Sequence, residues 1–258
     1  MQEKLVSIIM PVHNSEKYIK QALESVKKQI YQNYEIIIID DNSKDKTLEI
    51  IQKADINKEK IKIIRLKRHR GVAIARNIGI RKASGRYIAF LDSDDIWKTD
   101  KLKKQIEFIK DKCFIYSSYR YINNNCTKMS SKVKVLKKTD YEKALSNCRI
   151  LTTTTMIDLK KIPKRYCYMP DIMIEDYATW LKLLRKGYIA DGQNEVLAYY
   201  RKSPKSRSAN KFNTAHYRWK LYKEHEGLSG TYLSFCFYGY MINGILKRIK
   251  KYTNFKYE

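Results

Sequence analysis

The sequence predicts an α/β protein with a mostly parallel central sheet flanked by helices, and three observations carry that prediction. Apolar runs of strand length alternate with amphipathic helical patterns through the first half of the chain. The run Tyr87 to Leu91 is apolar throughout, which suits a strand covered on both faces. That run then ends abruptly in acids, because YIAFLDSDDIW places Asp92, Asp94 and Asp95 at the tip of its own strand. Clustered carboxylates cannot be buried bare, so they belong at the carboxyl end of the strand, where open α/β sheets bind ligands. Oxygen donors grouped in this way suit Mg²⁺ or Mn²⁺ bridging to phosphates. The competing reading is a helix N-terminus, with the acids complementing the dipole of a helix opened by Thr99 and Asp100.

Taken in order, Leu5 to Met10 reads as a strand ending at Pro11, and Asn14 or Ser15 as the cap of a helix. The apolar face of that helix is Tyr18, Ile19, Ala22, Leu23 and Val26. Glu35 to Ile39 is a second strand that runs into Asp40 and Asp41, then Asn42, Ser43 and Asp45. A helix follows through Leu48, Ile50 and Ile51, then a basic strand around Ile61 to Leu66. Gly71 leads into a helix carrying Ala75, Arg76, Ile78 and Gly79, ahead of the central strand. Such alternation gives parallel βαβ units with right-handed crossovers.

The second half is less regular. Cys113 to Ser118 reads as a strand, and Thr139 with Glu142 forms a capping box for a helix to Leu145. The β-branched LTTTTMIDL, Leu151 to Leu159, predicts a further strand. A second acidic pair, Glu175 and Asp176, precedes Tyr177, Trp180, Leu181 and Leu184 at helical spacing; by itself it fits a helix N-terminus. Phe212 to Glu226 is helical, and Leu228 to Leu246 contains no charged residue. That segment is too polar for a membrane span, yet Lys247, Arg248, Lys250 and Lys251 follow it directly. It reads as an interfacial helix on an anionic leaflet, or else as a helix packed on the rest of the chain or on a second subunit in a dimer.

Composition sets the bounds. With 258 residues, 43% hydrophobic and only 4 Pro, the chain can bury a large core as one domain or as one domain plus an appendage. Its 53 Lys+Arg against 27 Asp+Glu give a formal charge of +26, so lipid headgroups, nucleic acid or phosphorylated substrates enter as partners. Basic residues scatter rather than form one stripe, and there is no helix-turn-helix or RNA-binding signature, so nucleic acid is not expected. Cys113, Cys126, Cys148, Cys167 and Cys236 are odd in number and widely spaced, which argues against a zinc site or disulfide framework and for a reducing compartment. No signal-peptide pattern opens the sequence, and a cytoplasmic location is expected.

Four strings occur in order: VSIIMPVHN at Val6 to Asn14, IDDNSKD at Ile39 to Asp45, GVAIARNIG at Gly71 to Gly79, and FLDSDD at Phe90 to Asp95. In spacing and order they resemble the family 2 glycosyltransferases of the GT-A fold, over roughly the first 120 residues. The resemblance implies a Rossmann-like GT-A domain over 1–211, with a nucleotide-sugar half (1–120) and an acceptor half (121–211), and a helical extension over 212–258. It places Pro11, Val12 and Asn14 along the base and ribose, and gives Asp41 the uracil imide N–H, hence a UDP-sugar donor. It sets Arg76 against the base or diphosphate and Gly71 in a turn.

Asp92, Ser93 and Asp94 correspond to the DxD motif of that family. Asp92 would then hold the ribose or a metal-bound water, and Asp94 the Mn²⁺ or Mg²⁺ that bridges the diphosphate, while Asp95 faces the donor sugar or the acceptor. Glu175 and Asp176 resemble the family's ED motif, in which the aspartate is the base of an inverting transfer and Glu175 would orient it or the acceptor.

Tyr199 to Lys211 resembles the loop that closes over the donor. Where relatives often carry a histidine two residues after the arginine, Ser203 follows Arg201 here; Arg201, Lys205 or Arg207 would supply the positive charge instead. The partners implied are a nucleotide sugar and a glycan or lipid-linked acceptor for lipopolysaccharide or capsule. The setting implied is the inner face of the plasma membrane. Two other readings compete. A basic membrane- or nucleic-acid-binding α/β protein explains the charge but not four ordered motifs. A sugar nucleotidyltransferase would hold triphosphate with a glycine-rich loop and lysine at the N-terminus, and this sequence shows no such loop.

Overall fold

The computed structural model describes residues 4–127, 129–202 and 211–254. Four parallel strands come first, β1 (Val6–Val12), β2 (Tyr34–Asp40), β3 (Ile61–Arg65) and β4 (Tyr87–Phe90), joined through α1 (Ile19–Lys27), α2 (Thr47–Gln52) and α3 (Val72–Lys82). There follow β5 (Ile96–Trp97), α4 (Lys101–Ile109), β6 (Phe114–Ile122), β7 (Lys138–Thr139) and α5 (Tyr141–Asn147). Then come β8 (Met156–Asp158), α6 (Lys164–Cys167), α7 (Glu175–Arg185) and β9 (Ala190–Arg201). The strands form one nine-stranded sheet ordered β3-β2-β1-β4-β8-β6-β9-β5, with β7 pairing β9. Because β8 is antiparallel to β4 and β6, the strands β6 and β9 point the same way as β1 to β4.

The unbroken apolar runs have a simple cause. Successive strand residues face opposite sides of the sheet, and both sides are covered. Ile9, Ile37, Ile39 and Phe90 pack under α3 and α7 with Ile80 and Trp180, whereas Ile8, Ile36, Ile38 and Ala89 pack under α1 and α4 with Leu23 and Leu102.

A polar staple closes the amino ends of the parallel strands. Ser7 Oγ donates to Glu35 Oε1 at 2.6 Å, Ser84 gives it both backbone N–H (2.8 Å) and hydroxyl (2.7 Å), and Lys62 Nζ holds Oε2 at 2.7 Å. Burial pushes the Glu35 carboxyl up, but Lys62, Ser7 and Ser84 outweigh it and bring it down to about 2. Gly85 N donates to Ser7 Oγ, and a Cβ on Gly85 would lie 2.6 Å from Leu5 O, so only glycine lets these backbones approach.

The structure moves four local expectations. Strand β1 continues two residues past Met10, since pairing with β2 persists to Val12 after pairing with β4 ends at Ile9. Helix α1 begins at Ile19 rather than after Asn14 or Ser15, because those two residues shape a turn, Asn14 at φ 46°. Asp140, not Thr139, caps α5, accepting Lys143 N at 2.9 Å, while Thr139 is buried against the Tyr116 hydroxyl. The threonine run is a 3₁₀ turn at Thr152–Thr154, and only Met156–Asp158 is strand. Thr154 and Thr155 hydroxyls donate to the carbonyls of Leu151 and Thr152, a local bonding that competes with a sheet ladder.

After β9, α8 (Lys211–Lys220) runs through a π-helical turn (Leu221–His225) toward α9 (Gly230–Asn254). Helix α9 lies on α5: Leu233 and Cys236 are buried, and a Cβ on Gly239 would sit 3.0 Å from Ser146 Cβ. Arg218 of α8 is sandwiched between the rings of Tyr177 (3.8 Å) and Tyr240 (4.1 Å), tying α7, α8 and α9 together. No helix among the described residues is long and apolar enough to cross a membrane.

Candidate active site

A cavity of about 750 Å³ opens at the carboxyl ends of β1, β2 and β4. Pro11, Val12, Asn14, Asp41, Arg76, Asp92, Ser93, Asp94, Glu175 and Asp176 all line it, so the fold gathers these ten sequence-predicted residues around one space. His13, His69, Thr152, Met173, Tyr200 and Tyr217 line it as well, and sequence reasoning missed them.

The β1 and β2 tips are wired to each other and to the DxD loop. Asn14 donates its N–H to Ser43 Oγ (3.0 Å), and its side-chain oxygen accepts Lys44 N (2.8 Å). Ser15 Oγ lies 2.7 Å from Ser93 Oγ. Of the paired acids after β2, Asp40 is the turn former, fully buried and accepting Ser43 N at 3.1 Å. Asp41 accepts Arg70 N at 2.7 Å on one oxygen and Gly71 N at 2.8 Å on the other, where His69 Nδ1 also lies 2.8 Å away. Gly71, at φ +86°, permits that turn. His13 Nδ1 donates to the Asp41 carbonyl at 2.8 Å, leaving Nε2 as acceptor from Asn14, and its ring lies 4.1 Å from that of His69. The two histidines thus border Asp41; in the sequence each stands alone, one after β1 and one before Gly71.

The three acids after β4 part company. Asp92 and Asp94 face the cavity, but Asp95 does not line it: it is fully buried and accepts Arg201 N at 3.0 Å. The expectation that Asp95 faces sugar or acceptor is therefore corrected, because the loop folds it inward to anchor the end of β9. Burial and its two acidic neighbours hold the Asp95 carboxyl well above the usual range. Burial and the Asp92 charge push Asp94 up to about 6.

Arg201, expected at the diphosphate, is also buried. It donates to Asp94 O (2.7 Å), Asn124 O (2.6 Å) and Gln21 Oε1 (2.7 Å), and stacks on Tyr18. Its charge shapes the acid loop from beneath. Ser203, Lys205 and Arg207 lie outside the described residues.

From the second half of the chain, α7 begins with Glu175 and Asp176, which line the same cavity. Asp176 Oδ2 accepts the Thr152 hydroxyl at 2.6 Å, and Oδ1 accepts Tyr177 N at 2.7 Å. The resemblance sets Arg76 against base or diphosphate, and a surface position is the plain alternative; the structure excludes the surface position and puts Arg76 in the cavity lining. It is 3% exposed, with NH2 on Asp92 Oδ1 (2.5 Å) and NH1 on Glu175 Oε1 (2.8 Å).

Among the described residues no three His, Cys, Asp or Glu side chains are placed to hold a metal by themselves. Two neighbouring carboxylates, one of them driven toward protonation by burial and by the charge of the other, nevertheless fit a hard cation whose remaining ligands would come from a diphosphate.

The fold is an α/β fold of the GT-A class, with an acid-lined cavity at its strand tips. Solved structures agree in fold: TarS of S. aureus in complex with UDP-GlcNAc superposes with TM-score 0.69 at 20% identity, covering 93% of this chain and 72% of that one. The mannosyltransferase PcManGT of Pyrobaculum calidifontis, in complex with GDP-Man and Mn2+, gives 0.69 at 19%, covering 87% and 65%. Residues 7–162 match Glycosyl transferase family 2, and the chain belongs to that family. TuaG of Bacillus subtilis (strain 168), named as a teichuronic acid biosynthesis glycosyltransferase, is 39% identical over 95% of this chain and 98% of its own length. The Escherichia coli UDP-Glc:alpha-D-GlcNAc-diphosphoundecaprenol beta-1,3-glucosyltransferase WfgD is 36% identical over 98% and 97%.

Proposed function

We propose that this glycosyltransferase transfers a sugar with inversion from a UDP-sugar to a lipid-linked glycan, in surface polysaccharide biosynthesis at the inner face of the plasma membrane. The observation that carries the reading is that two acidic pairs, Asp92 with Asp94 and Glu175 with Asp176, line one cavity and are joined through Arg76. Asp176 takes the proton of the acceptor hydroxyl as that oxygen bonds to the anomeric carbon. The bond from that carbon to the β-phosphate oxygen breaks on the opposite side, and UDP leaves with the electron pair. Thr152 and Tyr177 N fix the Asp176 carboxylate in place. Asp92 and Asp94 would hold Mn²⁺ or Mg²⁺, which supplies charge neutralisation to the departing diphosphate. Pro11, Val12, Asn14 and Asp41 take the nucleoside, Asp41 with a lone pair left for the imide N–H.

The lipid-linked acceptor and the membrane setting are supported by the diphosphoundecaprenol acceptor that WfgD is named for and by α9. Opposite its α5 face, α9 exposes Phe235 (73%), Tyr238 (66%), Ile242 (55%) and Leu246 (49%) in one stripe, and Lys247, Arg248, Lys250 and Lys251 follow.

A thermal-shift titration with UDP, GDP, dTDP and CDP, each with and without Mn²⁺, tests the donor site. Stabilisation by UDP that requires the cation and disappears in Asp94→Ala is expected; a metal-independent shift or a preference for another nucleotide sinks that part of the reading. Sedimentation with phosphatidylglycerol vesicles tests the helix. Binding is expected for the wild type and not for Phe235→Glu/Tyr238→Glu, and equal pelleting of both proteins overturns the membrane contact.

A further inference from the structure

Arg76 is a buried cation that touches acids from two distant parts of the chain. It sits on α3, its partner Asp92 lies 16 residues on at the tip of β4, and its partner Glu175 lies 99 residues on at the start of α7. Only a guanidinium can do this, because its NH1 and NH2 point to different places while both carry charge. Met169 Sδ lies 3.8 Å from NH1, and Nε has no hydrogen-bond partner among the described residues; Asp176 adds a weaker opposite charge than the two carboxylates that Arg76 bonds. Burial disfavours the charged guanidinium, but Asp92 and Glu175 outweigh that and keep its pKa above the usual arginine value.

We infer that Arg76 is a positioning residue that couples donor binding at Asp92 to the placement of the catalytic helix α7 through Glu175. The inference rests on the donor-site reading above. A buried charge that loses one partner must lean on the other, since leaving it uncompensated is costly. When Asp92 turns to the arriving nucleotide and its cation, its hold on Arg76 weakens and the guanidinium draws closer to Glu175. Glu175 is the first residue of α7, and Asp176 is the next, held by Tyr177 N of the same turn. A pull on Glu175 is therefore a pull on Asp176. Donor occupancy then tightens the base before the acceptor is engaged, so the enzyme assembles its transfer geometry only when a donor is present. In the other direction, acceptor-side changes at Glu175 alter the affinity for nucleotide, as linkage requires.

The test is a binding cycle on the full chain, with UDP and Mn²⁺ as the probe so that no sugar reaches Glu175. Kd is measured calorimetrically for the wild type, Glu175→Gln, Arg76→Lys and the double variant. In the wild-type background Glu175→Gln removes the charge that competes with Asp92 for Arg76, and Kd is expected to rise about fivefold. In the Arg76→Lys background, where the ammonium cannot span both acids, Glu175→Gln should change Kd by less than about twofold. Additive effects, or no effect of Glu175→Gln in either background, overturn the coupling.

A second measurement covers the case in which Arg76→Lys does not fold. Hydrogen exchange at the Tyr177 and Ala178 amides should slow when UDP and Mn²⁺ are added to the wild type, and should not respond in Glu175→Gln. Unchanged exchange in the saturated wild type overturns the inference while leaving nucleotide binding intact. No UDP binding by the wild type overturns the donor-site reading and this coupling together.

Discussion

At the amino ends of the parallel strands, Glu35 collects hydrogen bonds from Ser7 and Ser84 and an ion pair from Lys62, and its carboxyl is held down to about 2. At the carboxyl ends of the same sheet, Asp94 is pushed up to about 6 by burial and by Asp92, and Asp95 is held well above the usual carboxylate range by burial and both neighbours. The two ends use the same chemical group with opposite sign. An acid surrounded by donors adds to stability, whereas acids crowded together subtract from it and wait for a positive partner from outside. The difference marks which end of the sheet serves the fold and which serves the ligand, in line with open α/β sheets in general.

The sharpest break of that comparison comes from the catalytic wall. Asp176→Asn keeps the hydrogen bonds of a side chain at this position but removes the proton acceptor. Transfer is expected to fall about 10²- to 10⁴-fold, with UDP affinity changed less than twofold, as read by steady-state rates and calorimetry. An equal loss in both would make Asp176 a binding group instead.

Glu35→Gln attacks the other end and should cost about 1–3 kcal/mol in urea unfolding, since an amide cannot accept from Ser7, Ser84 and Lys62 together. Its pH dependence has a fixed sign. The folded carboxyl is depressed from 4.5 to about 2, so its contribution is full above pH 4.5 and is lost as pH falls through about 2. The gap between wild type and variant should narrow over that window, and a gap that stays constant down to pH 2 would contradict the staple.

The smallest expected effect runs the opposite way. Asp94→Asn should raise the melting temperature of the ligand-free protein by about 2–4 °C at pH 8, a cost of function removed with the function itself. Because the folded carboxyl titrates up from 3.8 to about 6, the difference should be full above pH 6, shrink as pH falls through that value and vanish only below 3.8, where the unfolded carboxyl is protonated too. A destabilised variant at pH 8 would remove the contrast between the two ends.

Much of this was legible in the sequence, and particular residues show why. Strand β4 and its acids could be read directly, since an apolar run beside three aspartates has few physical solutions. The helix carrying Glu175 and Asp176 was legible from Tyr177, Trp180, Leu181 and Leu184 at helical spacing. The threonine run was misread because β-propensity says nothing about hydroxyls that bond their own backbone, as Thr154 and Thr155 do. His13, His69 and Thr152 left no signal, for each becomes part of the site only by adjacency to Asp41 or Asp176.

The sequence by itself determined the family, the alternation of strand and helix, and which acids stand at strand tips, because these depend on local pattern and on spacing along the chain. Only the tertiary structure decided what each charge touches. It turned Asp95 and Arg201 inward, gave Asp40 the turn and Asp41 the cavity, and set Arg76 between Asp92 and Glu175. Electrostatic partnership is fixed by distances of a few ångströms between groups far apart in sequence, and those distances exist only once the chain has folded.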